Sequence, residues 1–325
     1  MVRGVMRLSS KHPVLVALVA AAIALGCDKE PAQSDSVDGG VTPDTSVLPQ
    51  KAAGPCAVTS TLANTPRETI TYTYNAAGLV TQVATDLGSD GSVDSVVAHA
   101  YDDAELLIET TRDDGADGVI NFRSTFMYSG LGLLLTETID REGDGVVDGT
   151  KTYEYDGEGK LRQMKYDANH DSEIDYLVEY IYDDEGLLIG KEVYTTGGGT
   201  PDETYTYEYD ANGKLVVKRE ELTGGDAQQV FQTDIVYDDE GRVVSEAIDY
   251  GGDGESDILI TYVYEATTGY LIERAVDKGV DGVVDEVTTY SYDSAGNVVS
   301  EAVDLNGDGE LDETVSYDFS CWASQ

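Results

Sequence analysis

From Glu68 to Phe319 apolar and polar residues alternate in short runs, and each run ends in a cluster of turn-forming residues. Thr152-Tyr153-Glu154-Tyr155 shows the pattern: its period of two sets both tyrosines on one face of a β-strand. Asp156-Gly157-Glu158-Gly159 follows, with Asp and Gly at the first and fourth positions of a type I turn. There the Asp side chain accepts neighbouring N–H groups, and Gly takes a left-handed conformation without steric cost. A second strand, Lys160 to Tyr166, and an acidic loop, Asp167 to Asp175, complete the unit.

The unit recurs. Tyr74, Tyr101, Tyr128, Tyr155, Tyr182, Tyr209, Tyr237, Tyr264, Tyr292 and Tyr317 are separated by 27, 27, 27, 27, 27, 28, 27, 28 and 25 residues. One periodic array therefore runs over residues 68–319, within a domain of residues 56–325, in place of two globular domains. Turn glycines recur at Gly78, Gly132, Gly159, Gly186, Gly213, Gly241 and Gly296, with Gly269 shifted by one and Glu105 in place of Gly. Two reversals per unit predict an all-β antiparallel meander of about 19 strands; a β-solenoid of similar period is the alternative. At about 4.8 Å per strand such a sheet would be about 90 Å wide, and sheets of that width curl, split or close. The expected fold is a curled array of β-hairpins: a sandwich-like shell, a spiral or a hollow barrel. Tyr72, Tyr153, Tyr180, Tyr207, Tyr262 and Tyr290 form a second column two residues before the anchors. For the two columns together, cross-strand packing with hydroxyls at the solvent edge is the first expectation, and a stacking platform for glycans the second.

Charge narrows the function. With 63 acidic and 20 basic residues the net charge is -43, which repels phosphate backbones and excludes nucleic acid as a partner. A content of 41% hydrophobic residues with 22 Tyr excludes a wholly disordered acidic chain. Three His and three Cys leave little for a transition-metal site. No nucleophile elbow, His-based metal site or phosphate-cradling Gly loop is present, so no enzyme is expected; His99 and His170 read as strand and loop residues.

The N-terminus reads as an address. Arg3, Arg7 and Lys11 precede an apolar run from Pro13 to Leu25, too short to span a bilayer comfortably. Ala24-Leu25-Gly26-Cys27 resembles a bacterial lipobox, which implies a signal peptide of residues 1–26 and lipidation of Cys27; cleavage after Ala24 is the alternative. Residues 27–55, rich in Asp, Ser, Pro, Thr and Gly, predict a disordered tether. The expected location is the cell envelope, on the inner or outer membrane, through a lipid anchor. Cys56 and Cys321 bracket the array, and an exported chain sits where disulfides persist; they either pair, bringing the array's ends together, or remain two separate thiols.

The acidic loops align as D-x-x-x-D-G-x-x-D. Asp86/Asp90/Asp94, Asp140/Asp144/Asp148, Asp167/Asp171/Asp175, Asp249/Asp253/Asp257, Asp277/Asp281/Asp285 and Asp304/Asp308/Asp312 carry all three acids, and Asp113/Asp117 has Asn121 third. The loops at 194–202 and 221–229 have lost the pattern. The spacing matches positions 1, 5 and 9 of an EF-hand-type loop, and hard oxygens around a turn suit Ca²⁺. Asn306, Asn169 and Glu142 add an oxygen at position 3, whereas position 12 lacks its Glu. The loops thus resemble incomplete calcium loops of the dockerin and thrombospondin kinds. Carboxylates about 5 Å apart repel by nearly 1 kcal/mol in water, so calcium relief of an otherwise self-repelling edge is expected. Asp304, Asn306, Asp308 and Asp312 form the best single candidate.

Tyr155-Asp156, Gly159 and Leu161, with Tyr209-Asp210, Gly213 and Leu215, resemble the YD (Rhs) repeat family. That resemblance implies a β-shell of stacked hairpins, used either as a container for a toxin or as an adhesive, glycan-binding surface. Here the unit is longer and its acidic loop is enlarged, and a form without a toxin or self-cleaving segment is expected. The resulting expectation is a lipid-anchored envelope protein with a calcium-stabilised β-array as a structural or interaction surface. A calcium-dependent carbohydrate-binding module is the second reading, its partner a glycan instead of an envelope protein.

Overall fold

The computed structural model describes residues 54–63, 65–195, 199–223 and 229–322. Cys27, the signal segment and the tether up to Ala53 lie outside the described residues. Among the described residues all regular structure is β-strand, apart from one 3-10 turn at Ser320–Trp322.

Twenty strands, numbered in chain order, form a single antiparallel sheet. β1 (Ala57–Leu62) pairs with both β2 (Thr65–Tyr74) and β20 (Glu313–Asp318), so the sheet closes into a barrel. The sequence pattern led to about 19 strands starting near Glu68, and β1 is the strand it missed. Ala57-Val58-Thr59-Ser60-Thr61-Leu62 has neither the anchor tyrosine nor the Asp-to-Gly turn by which the repeat is recognised. Its presence has a physical reason: an antiparallel meander can close antiparallel only with an even number of strands. Antiparallel pairing throughout also removes the solenoid alternative.

Register sets the dimensions. The row Tyr153, Met164, Val178, Val193 crosses β8 (Gly149–Tyr155), β9 (Leu161–Asp167), β10 (Tyr176–Tyr182) and β11 (Leu188–Thr195). Lateral neighbours two strands apart, such as Tyr153 and Val178, are thus about 25 residues apart, whereas the sequence repeats after about 27. Each repeat slips about two residues along the strand relative to the last, an even step that keeps every side chain on its face. Traced round the whole circuit the slip sums to about 20 residues, which for this strand number gives a tilt of about 37° and a diameter of about 35 Å.

The barrel wall is one layer, so burial comes from curvature, which crowds side chains on the inner face. The tyrosine-bearing face is the more buried one: in β10 Val178 is fully buried while Ile181, on the other face, is exposed. Met164, Val178 and Val193 form its driest patch, packed against Tyr153, Tyr166, Tyr176, Tyr180 and Tyr205.

The hairpin turns follow the sequence reading. Asp156 Oδ1 accepts the N–H groups of Glu158 and Lys160, both at 2.9 Å, while Gly159 sits at φ 87° and donates to the Asp156 carbonyl. Glu105 occupies the same place at φ 64°, where a Cβ costs about 1–2 kcal/mol. Glu105→Gly is therefore expected to stabilise the barrel by about 0.5–1 kcal/mol, after allowing for glycine's extra chain entropy. Thermal unfolding reads this as a small rise, and no rise would mean that the backbone there is unstrained.

Candidate functional site at the two rims of the barrel

The turns gather at one rim and the acidic loops at the other. At the turn rim the anchor tyrosines are latches. Tyr182 Oη donates to the Leu161 carbonyl at 3.0 Å, and Tyr101, Tyr128, Tyr155, Tyr209, Tyr237, Tyr264 and Tyr292 make the same bond one repeat back. This corrects the expectation of hydroxyls at the solvent edge: the two-residue slip brings each hydroxyl over its neighbour's backbone. Lys160, Lys214 and Arg242 cap the rings of Tyr182, Tyr237 and Tyr264 as cation–π partners. Burial raises the pKa of every one of these latch tyrosines, to about 12 at Tyr182. Glutamates hold others: Tyr262 Oη donates to Glu246 at 2.8 Å and Tyr317 Oη to Glu301 at 2.6 Å.

The seam lies at the same rim. Cys56 and Cys321 are joined by a disulfide across 265 residues of chain, which settles the alternatives left by the sequence. Trp322 Nε1 donates to the Gly54 carbonyl at 2.8 Å, Tyr74 Oη donates to the Pro55 carbonyl at 2.8 Å, and the two rings lie 4.9 Å apart. The chain preceding Gly54 thus joins the barrel at the turn rim, against a fixed contact.

At the opposite rim each aspartate has a defined bond. The first is buried, as at Asp140, Asp167, Asp249, Asp277 and Asp304, and it accepts amides from the middle of its own loop. Asp140 takes Asp144 N–H at 3.1 Å and Gly145 N–H at 2.8 Å; Asp86, Asp167 and Asp277 repeat this pair. The middle acids Asp90, Asp144, Asp171, Asp253, Asp281 and Asp308 each accept the N–H two residues on. The last acids Asp94, Asp148, Asp175, Asp257, Asp285 and Asp312 reach back seven residues to the amide that opens the loop. Asn169 and Asn306 accept from Asp171 and Asp308, whereas no such bond involves Glu142.

Two variations show that the last position needs an acceptor more than a charge. Asn121 stands there in its loop and accepts Asp114 N–H at 2.6 Å. Asp202, in a loop that has lost the other two acids, still accepts Thr195 N–H at 2.7 Å and its hydroxyl at 2.8 Å. The sequence offered a signal for Asp202, since it stands one repeat after Asp175, but the loss of its companions hid it.

These bonds revise the electrostatic argument for calcium. Four amides per loop, each worth more against a carboxylate than the repulsion of about 1 kcal/mol it offsets, already compensate the acids. At Asp304 burial opposes ionisation, but the amides of Gly309, Asn306, Gly307 and Asp308 together outweigh it and hold the pKa below the ordinary value. Oxygen donors of the kind calcium takes are plentiful at this rim, and among the described residues no group of three or more His, Cys, Asp or Glu side chains is gathered around one point. The loops are tied from within.

Asp140→Ala leaves two loop amides without their acceptor and is expected to cost about 2–4 kcal/mol, or about 4–8 °C in melting temperature. Asp144→Ala, which loses one exposed bond, is expected to cost less than half as much, and equal losses would sink this ranking.

No protein-family model and no curated protein matches the chain. Among solved structures it is similar to the Photorhabdus luminescens Tc holotoxin pore, at 15% identity and TM-score 0.46, over 77% of this chain and 14% of that one. It is also similar to TcdB2-TccC3, at 16% identity and TM-score 0.46, over 77% and 14%. A porin-like protein from Bacteroides uniformis is similar at 15% identity and TM-score 0.36, over 81% and 95%. The chain spans 14% of the length of the two toxin chains. At these TM-scores the likenesses add nothing to the closed fold read from strand register.

Proposed function

We propose that the chain is a lipid-anchored cell-envelope protein whose closed β-barrel is a structural or interaction surface. The observation that carries this reading is the seam: the part of the chain that follows the lipobox enters at Gly54 and is bound at once to both ends of the barrel. A tethered body built in this way transmits any pull on its anchor to the whole sheet, not to one fraying strand.

A barrel that itself spans the membrane is disfavoured by charge on both faces of the wall. Glu137 and Lys151 pair at 3.3 Å on the face of Tyr153, and Gln163 donates to Glu179 at 2.9 Å on the opposite face. Neither face offers the uncharged band that hydrocarbon requires. The second reading, a glycan-binding module, rests on the column of Tyr153, Tyr180 and Tyr207, which share one face of the sheet, Tyr153 and Tyr180 packed against Met164, Val178 and Val193.

Metabolic labelling with palmitate, compared between the native chain and Cys27→Ser, tests the anchor. Labelling that survives the substitution, or is absent from both, overturns it. Melting the mature barrel with calcium and with chelator tests the ion. The internal amide bonds lead us to expect a fully folded barrel in chelator, and a rise of more than about 2 °C on adding calcium would return the ion to the loops.

A further inference from the structure

One hairpin departs from the others at the turn rim. The other turns open on Asp, Asn or Glu, whereas Ser129-Gly130-Leu131-Gly132 opens on a serine. The Ser129 hydroxyl keeps the turn, accepting Leu131 N–H at 3.2 Å and Leu133 N–H at 3.1 Å, and dispenses with the carboxylate. Elsewhere a long side chain from the preceding repeat closes the space between turns: Lys160 lies against Gly186, Lys214 against Gly241 and Tyr270 against Gly296. Leu106 holds the corresponding place before Gly132, and no atom beyond the chain neighbours comes within 4 Å of where a Cβ would stand on that glycine. What remains is an open groove of about 450 Å³, lined by Leu106, Ile108, Phe126, Tyr128, Gly130 and Gly132. It has room for one aromatic or branched aliphatic side chain.

The surroundings define the occupant. The crest of the hairpin is apolar: Leu131 is 82% exposed and Met127 64%, with Leu135 and the groove residue Ile108 exposed as well. Singly such residues are ordinary on a surface, but four beside one apolar groove mark a contact face. The lip is anionic. Asp102, Asp103 and Glu105 are exposed in the neighbouring turn, and residues 102–109 and 126–135 contain no Lys or Arg. A second copy is a poor occupant, because it brings the same acids and its own charge of -43 against them.

We propose that this groove docks a basic polypeptide segment carrying one large apolar side chain between lysines or arginines. The apolar side chain enters the groove while its flanking cations meet the lip. This rests on the interaction role proposed above and gives that role a place and a partner chemistry; the lipid anchor takes no part in it.

The test reads the anisotropy of a labelled peptide, one tryptophan between two pairs of lysines, against the full chain. Saturable one-to-one binding is expected, weakening at least about threefold between roughly 50 and 500 mM salt. Gly130→Phe, at an ordinary φ with open space around it, occupies the groove and should weaken binding at least about tenfold. The same change in the next hairpin, Gly157→Phe, is equally unhindered and should alter binding less than about twofold. Ala104→Arg sets a cation on the exposed lip and should also weaken it about tenfold, and melting of each variant with the native chain shows that the barrel is folded. A peptide with serine for tryptophan should bind at least about tenfold more weakly. Equal affinity in Gly130→Phe and Gly157→Phe, equal binding of the serine peptide, or no saturation of the native chain below about 1 mM overturns the site. So does a dimer in sedimentation that Gly130→Phe dissolves, which gives the groove to a second copy. The anchor is judged separately: a chain that binds the peptide but takes no palmitate label overturns the anchor alone.

Discussion

Reduction of the Cys56–Cys321 bond should lower the melting temperature of the barrel by about 10 °C. A cross-link that closes 265 residues removes about 5 kcal/mol of chain entropy from the unfolded state, and a chain of this size melts about 2 °C lower per kcal/mol lost. The native ladder does not depend on the bond, because β1 keeps its full pairing with β20, from Ala57 opposite Asp318 to Leu62 opposite Glu313. Reduced protein should therefore remain a closed barrel of lower stability at room temperature, with the strand signal of the oxidised form. The double substitution Cys56→Ser and Cys321→Ser should match the reduced chain and lose all response to reductant. An unchanged melting temperature, with thiol titration proving reduction, would show that hydrogen bonding alone fixes the seam.

The same seam marks where the sequence ran out. Repetition made the strands legible: ten tyrosines at nearly one spacing mark a repeat array, and the Asp-to-Gly turns between them favoured antiparallel hairpins over a solenoid. β1 occurs once, so no repetition advertised it, and its role follows from the closure that it makes possible. Latching by the tyrosines was hidden for another reason. It depends on the slip of about two residues between repeats, a property of register that no single hairpin contains. At the far rim the spacing of the acids was legible but their partners were not. Read as charges, three carboxylates in nine residues invite a cation; read as acceptors, they match the amides that a tight loop would otherwise leave unpaired. Asn121 shows the second role in its own loop, because it keeps the bond and lacks the charge.

The tyrosine latches should make the barrel sharply sensitive to alkali. A hydroxyl that donates to a carbonyl cannot ionise and keep its bond, and burial has raised the pKa of each latch above the unfolded value of about 10. A group with a raised folded pKa gives stability that is fully present below the unfolded pKa and lost as pH rises through the folded one. The window therefore opens near pH 10 and extends to about 12, the value at Tyr182. Inside this window Tyr182 removes up to about 1.4 kcal/mol per pH unit, about half that once the water reaching its ring is allowed for, and the other seven latches act in the same direction. Tyrosinate absorbance should then rise in one cooperative step together with loss of strand signal, instead of as a spread of independent titrations. Tyr182→Phe separates the two contributions. At neutral pH it loses one hydrogen bond, worth about 1 kcal/mol, yet it removes one ionising group from the alkaline step and should make that step shallower. Independent titration near pH 10 with the barrel still folded would mean that the hydroxyls are free and that the latches do not hold the repeats together.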